Sequence, residues 1–173
     1  GPDQSKSCGS AEASCHEPPP DRRRSDRDAF GSRLILNSPF SILHLLSALT
    51  ITEAHAKLTK KEISSQELTR SCIERIEAVD KTLNAVVFRN FERALAEAKK
   101  VDDQGMSDQA LHGIPYLAKD VYCEEGIPTT ACSNMLREKT YIPPFDSTTT
   151  RRLKATGAIS IGKTNTDEFT MGA

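Results

Sequence analysis

Two short apolar runs with one capped helix between them constrain this chain more than any other feature. Residues Gly113-Ile-Pro-Tyr-Leu-Ala-Lys-Asp-Val-Tyr122 carry the first run and Ala158-Ile-Ser-Ile161 the second. Between them, Asp146-Ser-Thr-Thr149 offers side-chain oxygens to the start of a helix that runs through Leu153, and Gly157 suits the position just past its end. Strand, helix and strand in that order bury their apolar faces as a parallel or mixed sheet covered by helices. Pro115 has no amide hydrogen, which confines it to the beginning of the first strand or to a bulge.

Upstream, two capping boxes announce helices. In Thr50-Ile-Thr-Glu53 and in Ser64-Ser-Gln-Glu67 the hydroxyl and the carboxylate each satisfy an amide that the first turn leaves without a partner. The first predicts a helix to about Thr59. The second predicts a longer one, with Leu68, Cys72, Ile73, Ile76 and Val79 on a buried face and Arg70, Glu74 and Glu77 on a solvated one. Leu83–Phe88 then reads as a short strand, and Phe91–Val101 as a third amphipathic helix closed by Asp102-Asp-Gln-Gly105. Residues 1 to about 38, rich in Ser, Pro, Asp and Arg, have no periodic apolar face to offset their ordering entropy and are expected to be disordered. Their acidic residues argue against a transit peptide.

Charge and cysteine usage narrow the function. A formal net charge of −1 provides no basic excess for phosphate neutralisation, so any RNA contact falls to a partner. The Phe40–Leu46 apolar cluster is far short of the ~20 residues of a membrane span. Five cysteines (Cys8, Cys15, Cys72, Cys123, Cys132) and four histidines are scattered without zinc-ligand spacing, which points to free thiols and no metal.

Two lysines stand out. Gly157-Ala-Ile-Ser-Ile-Gly-Lys-Thr164 satisfies the letter of the phosphate-binding loop G-x-x-x-x-G-K-[ST]. The context is inverted, because a helix precedes Gly157 and the four central residues favour a strand. The expectation is therefore a helix cap at Gly157, a strand, and a tight exit at Gly162-Lys-Thr. Lys119 ends the other apolar run, where desolvation would free a neutral amine for general-base work. The plainer reading of Lys119 is an ion pair with Asp120 or another carboxylate.

Three stretches taken together tip that balance: Leu111-His-Gly-Ile-Pro-Tyr-Leu-Ala-Lys-Asp120, Gly126-Ile-Pro-Thr-Thr-Ala-Cys-Ser133 and Gly157–Gly172. In this order they closely resemble the amidase-signature family. Glu62–Thr69 and Tyr141-Ile-Pro-Pro-Phe-Asp-Ser-Thr148 are similar to the A subunits of glutamyl-tRNA(Gln) amidotransferases within it. The resemblance runs from about Leu49 to Ala173.

It implies the N-terminal portion of an α/β/α fold with a mixed sheet, and a Ser–cis-Ser–Lys triad. Lys119 matches the family lysine and Met171 a position lining the substrate pocket. Both serines are expected beyond Ala173, and Ser133, Ser147 and Ser160 are not substitutes for them. Lys163, Asp167 and Glu168 are expected to hold the local fold. Further implications are glutamine as substrate, B and C partner subunits, and Glu-tRNA(Gln) reached through the complex. ATP and Mg²⁺ would be used by the assembly and no cofactor bound by this chain. The location would be cytoplasmic in a bacterium, or mitochondrial or plastid in a eukaryote. Val121, where most A subunits have asparagine, leaves the amide substrate open. A stand-alone amidase, a nucleotide-binding domain and an inactive interaction fragment remain the rival readings.

Overall fold

The computed structural model describes residues 46–138 and 141–172, so the expected disordered tail lies outside the described residues. Both capping boxes form. Thr50 caps α1 (Ile51–Thr59), accepting from the Glu53 amide while the Thr50 amide donates to Glu53 Oε2 at 2.9 Å. Ser64 caps α2 (Ser65–Leu83) in the same way, with Ser64 N to Glu67 Oε2 at 2.8 Å.

Helix α2 runs further than the sequence suggests and absorbs the start of the expected strand. Leu83 is its last residue, Asn84 turns left-handed at φ 51°, and β1 covers only Val86–Arg89. The cause is Asp80, whose Oδ1 accepts the amides of Ala85 (2.7 Å) and Val86 (3.1 Å) and whose Oδ2 meets Arg89 Nη2 at 3.1 Å. A carboxylate at the helix end thus fixes the corner into the strand. Helix α3 (Phe91–Gln104) also outruns its expected end at Val101, and Gly105 caps it at φ 84°. Within that extension Asp102 reaches across to accept the amides of Ser65 (2.8 Å) and Gln66 (3.0 Å), placing negative charge at the start of α2.

The remaining elements are β2 (Pro115–Lys119), α4 (Asn134–Glu138), α5 (Thr148–Ala155), β3 (Ile159–Thr164) and a 3₁₀ turn at Glu168–Thr170. Pro115 does begin its strand. Ser147 Oγ accepts the Thr150 amide at the start of α5, and Gly157 follows that helix at φ 75°. The sheet order is β1-β3-β2, with β1 antiparallel and β2 parallel to the central strand, so the fold is mixed α/β. Ala94, Ala98 and Val101 of α3 pack on Ile159 of β3, while Ala54 and Leu58 of α1 meet Leu68 and Ile114. No helix among the described residues is long and apolar enough to cross a membrane.

Residues Gly162-Lys-Thr164 belong to β3 itself and are not the turn expected there. Their amides and carbonyls are engaged in strand pairing on both sides, since Gly162 and Lys163 align with β1 as well as with β2. The lookalike of the phosphate loop therefore has no loop. A Cβ at Gly162 would lie 2.2 Å from the Phe88 carbonyl oxygen, so glycine here serves close strand approach.

Candidate active site

Lys119 is the last residue of β2, paired in register with Thr164, and is half-buried. Among the described residues its amine has neither an ion-pair nor a hydrogen-bond partner. The simple alternative, a pair with Asp120, does not form, because that carboxylate is already occupied. Asp120, 1% exposed, accepts from Thr130 Oγ1 at 2.5 Å, from the Thr130 amide at 3.2 Å and from the Cys132 amide at 3.3 Å. Its own main chain is held as well, with Asp120 N donating to Thr164 O at 3.1 Å and Asp120 O accepting from Ala131 N at 2.8 Å.

The loop so gripped is strained. Ala131 and Cys132 adopt φ 47° and φ 52°, a left-handed pair without glycine that costs about 1–2 kcal/mol per residue. From it hangs the segment after β3. Ala131 O accepts the Phe169 amide at 3.0 Å, Cys132 Sγ the Thr166 amide at 3.2 Å, and Ser133 Oγ donates to Glu168 Oε1 at 2.7 Å. Phe169 and Thr170 are left-handed too, at φ 52° and φ 61°. Met171 follows on the 3₁₀ turn and is 79% exposed, so the described residues do not build a pocket wall around it.

Lys163 is wholly buried and structural. Its amine donates to Tyr122 O and to Thr129 Oγ1 (3.0 Å), tying together the two ends of the stretch that follows Lys119. Burial pushes its pKa down, against the pull of Asp120 and Glu124. The three serines set aside in the sequence all have fold roles: Ser147 caps α5, Ser133 holds Glu168, and Ser160 donates to the buried Glu124 at 2.9 Å. Glu124, 1% exposed, also faces Lys154 at 3.7 Å. The contacts of Asp120, Thr130 and Glu124 leave no trace in the sequence, where Asp120 reads only as an ion-pair partner of Lys119, because polar residues in a loop carry no periodic signal. The Thr-Thr-Ala-Cys-Ser133 run, beginning at Thr129 in the loop after Lys119, was the available hint.

A cleft of about 540 Å³ opens between the start of β1 and the loop after β2, lined by Asn84, Phe88, Asp120, Thr130, Arg137 and Asn165. Neither Lys119 nor Met171 lines it, so it is a neighbour of the lysine and not its pocket. Among the described residues no three of His, Cys, Asp and Glu converge as a metal site.

The chain matches the family model described as Amidase over residues 67–173. It is 44% identical over 128 residues to the A subunit of glutamyl-tRNA(Gln) amidotransferase from Prochlorococcus marinus, covering 72% of this chain and 26% of that protein. The corresponding protein of Thioalkalivibrio sulfidiphilus is 47% identical over 126 residues, with the same coverage. Among solved structures, native peptide amidase from Stenotrophomonas maltophilia is similar with a TM-score of 0.66 at 34% identity, covering 73% of this chain and 26% of that one. A bacterial aryl acylamidase of the amidase-signature enzymes also has a TM-score of 0.66, at 26% identity, covering 72% and 26%. The chain spans about a quarter of the length of the relatives it matches.

Proposed function

The chain belongs to the amidase family, and on that footing we propose that it is part of a glutamine-hydrolysing protein that supplies ammonia for converting Glu-tRNA(Gln) into Gln-tRNA(Gln). The observation that carries the reading is Lys119: an amine at the end of a sheet strand, without a partner among the described residues, beside a carboxylate fully engaged elsewhere. An amine without a counter-ion keeps its hydrogen-bonding directions open to a serine hydroxyl, as a general base requires.

In this reading Lys119 takes a proton, through a bridging serine, from the hydroxyl of a nucleophilic serine. Neither serine of this reading is Ser133, Ser147 or Ser160, which have the fold roles described above. The serine oxygen forms a bond to the glutamine side-chain carbonyl carbon, the C–N bond breaks, and ammonia leaves with the returned proton. Water then cleaves the ester to glutamate and free serine. Backbone amides would hold the oxyanion. A B subunit would receive the ammonia and use ATP and Mg²⁺ to convert Glu-tRNA(Gln) into Gln-tRNA(Gln), and a small C subunit would clamp the pair. The bacterial cytoplasm, or a mitochondrion or plastid, is the proposed setting.

The similarity to a peptide amidase and an aryl acylamidase keeps a second reading in view, a stand-alone amidase acting on another carboxamide. Val121, 37% exposed just past the end of β2, is one of two departures from the A-subunit pattern that the resemblance implies, the other, Glu138-Lys-Thr140, lying largely outside the described residues. The test is the full-length protein with Lys119→Ala. Glutamine hydrolysis should fall by at least ~10²-fold with folding intact, as for any lost general base. Near-normal turnover in a folded variant would return Lys119 to a structural role, and activity on other amides without any copurifying B-type subunit would favour the second reading.

A further inference from the structure

We propose that Asp120 is a positioning residue, fixing the Thr130–Cys132 loop, and through it the segment that carries Met171, relative to the amine of Lys119. The inference rests on the amide-hydrolysis reading of Lys119 and adds to it a residue that touches no substrate.

The linkage is continuous. Asp120 follows Lys119 directly and is anchored to β3 through Thr164 O, so its place relative to the lysine is set by the sheet. Its carboxylate and carbonyl together take hydrogen bonds from three consecutive residues: Thr130 twice, Ala131 and Cys132. Those residues and the adjoining Ser133 hold Phe169, Thr166 and Glu168 by the three bonds already described. Lys119 and Met171, 52 positions apart, are thus joined through one buried side chain.

Two features separate this arrangement from ordinary loop packing. The left-handed residues sit at both ends of the tether, Ala131 and Cys132 on one side and Phe169 and Thr170 on the other. Unfavourable backbone geometry persists only where surrounding contacts over-determine it, and here the contacts that do so begin at Asp120. Moreover, Asp120 uses its carboxylate on the loop and leaves the adjacent amine alone, which an ion-pair role would not produce. Reactions of this kind tolerate little misplacement, since a shift of about 1 Å between reacting groups can cost ~10²-fold.

The test uses the full-length enzyme in its complex with partner subunits, in three variants: Asp120→Asn, Thr130→Val and Lys119→Ala. In Asp120→Asn one acceptor oxygen becomes a donor facing other donors. Per active site, counted by an acylating inhibitor, KM for glutamine should rise ~10-fold or more and kcat fall ~10-fold or more, within the range that misplacement produces. Thr130→Val should move both in the same direction by less. Cys132, half-buried in the tethered loop, should react faster with a thiol reagent in Asp120→Asn, as read by mass spectrometry of its peptide. A merely structural Asp120 would instead reduce the number of active sites and leave KM and the Cys132 rate of the remaining enzyme unchanged, and that result overturns the proposal. If Asp120→Asn does not fold, Thr130→Val decides alone, unchanged KM and labelling again being the overturning outcome. Should Lys119→Ala stay active, the reading of the lysine fails. Should it be inactive while Asp120→Asn behaves as wild type, only the positioning role fails.

Discussion

The carbonyl oxygen of Phe88 lies 2.2 Å from where a Cβ on Gly162 would stand. Strand β1 therefore approaches the central strand more closely than any side-chain-bearing residue at 162 permits. Gly162→Ala should force the two strands apart and lower unfolding free energy by at least ~2 kcal/mol, in the range for overpacked interiors. Chemical denaturation measures it, and an unchanged midpoint would show that β1 can shift without cost.

Because Gly162-Lys-Thr164 lies within a doubly paired strand, ATP should find no cradle there. Calorimetric titration of the chain should show no heat of nucleotide binding. Lys163→Ala should lower stability by ~2–5 kcal/mol through the cavity left by a fully buried side chain. Micromolar ATP binding abolished by that substitution would contradict the strand assignment.

Asp80 governs the corner between α2 and β1. Burial opposes its charge, but the hydrogen bonds from Arg89 and from the amides of Ala85 and Val86 prevail and hold its carboxyl below the ordinary range. A depressed folded pKa gives stability that is fully present above the unfolded value of about 3.9 and lost as pH falls through the folded one. Asp80→Asn should consequently lower Tm at neutral pH, and its gap from wild type should close below about pH 4. A gap that stays constant from pH 7 to pH 3 would mean Asp80 acts through shape alone.

Tyr116 offers the opposite sign. Burial raises its phenol to about 12, the Glu124 carboxylate adds to this, and the nearby Ser160 hydroxyl offsets part of it. Its stabilising contribution is complete below the unfolded value of about 10 and is lost as pH rises towards the folded one. Ultraviolet titration of wild type minus Tyr116→Phe should isolate one phenol ionising near 12. At pH 7 the variant should be within ~1 kcal/mol of wild type, because the hydroxyl it removes completes no well-formed hydrogen bond among the described residues. A difference spectrum centred near pH 10 would show that the ring is solvated.

The sequence displays what is local and periodic. Both capping boxes, the amphipathic character of α3, Pro115 at a strand start and Gly157 after α5 are legible because each depends on residues within a turn or two of one another. Of the face expected on α2, by contrast, only Leu68 and Ile73 are buried, Cys72, Ile76 and Val79 are half-buried, and Thr69 and Ser71 are buried as well. The strand character of Ile159–Ile161 is likewise legible, in the β-branched residues that argue against a phosphate loop, although Ala158 precedes the strand. What escaped was set across distance. Asp80 reaches five and six residues onward to steal the expected strand's first positions for the helix end, and Asp102 caps a helix 37 residues earlier. Helix α4 is a single short turn with too few residues to show a period. At the candidate site, the matching of Lys119 and Met171 came from motif order. The role of Asp120 did not, because a carboxylate gripping a loop ten residues on looks, in sequence, like any acid beside a base.

The sheet order has a consequence for how the chain is made. Among the described residues the central strand, β3, is the last of the three in sequence, and β1 and β2 are hydrogen-bonded to it and not to each other. Until synthesis, at ~5–20 residues per second, has passed Thr164, neither β1 nor β2 has this strand to pair with. The helices α1, α2 and α3 can associate in that interval, whereas these three strands can pair only once Ile159–Thr164 is available between the other two.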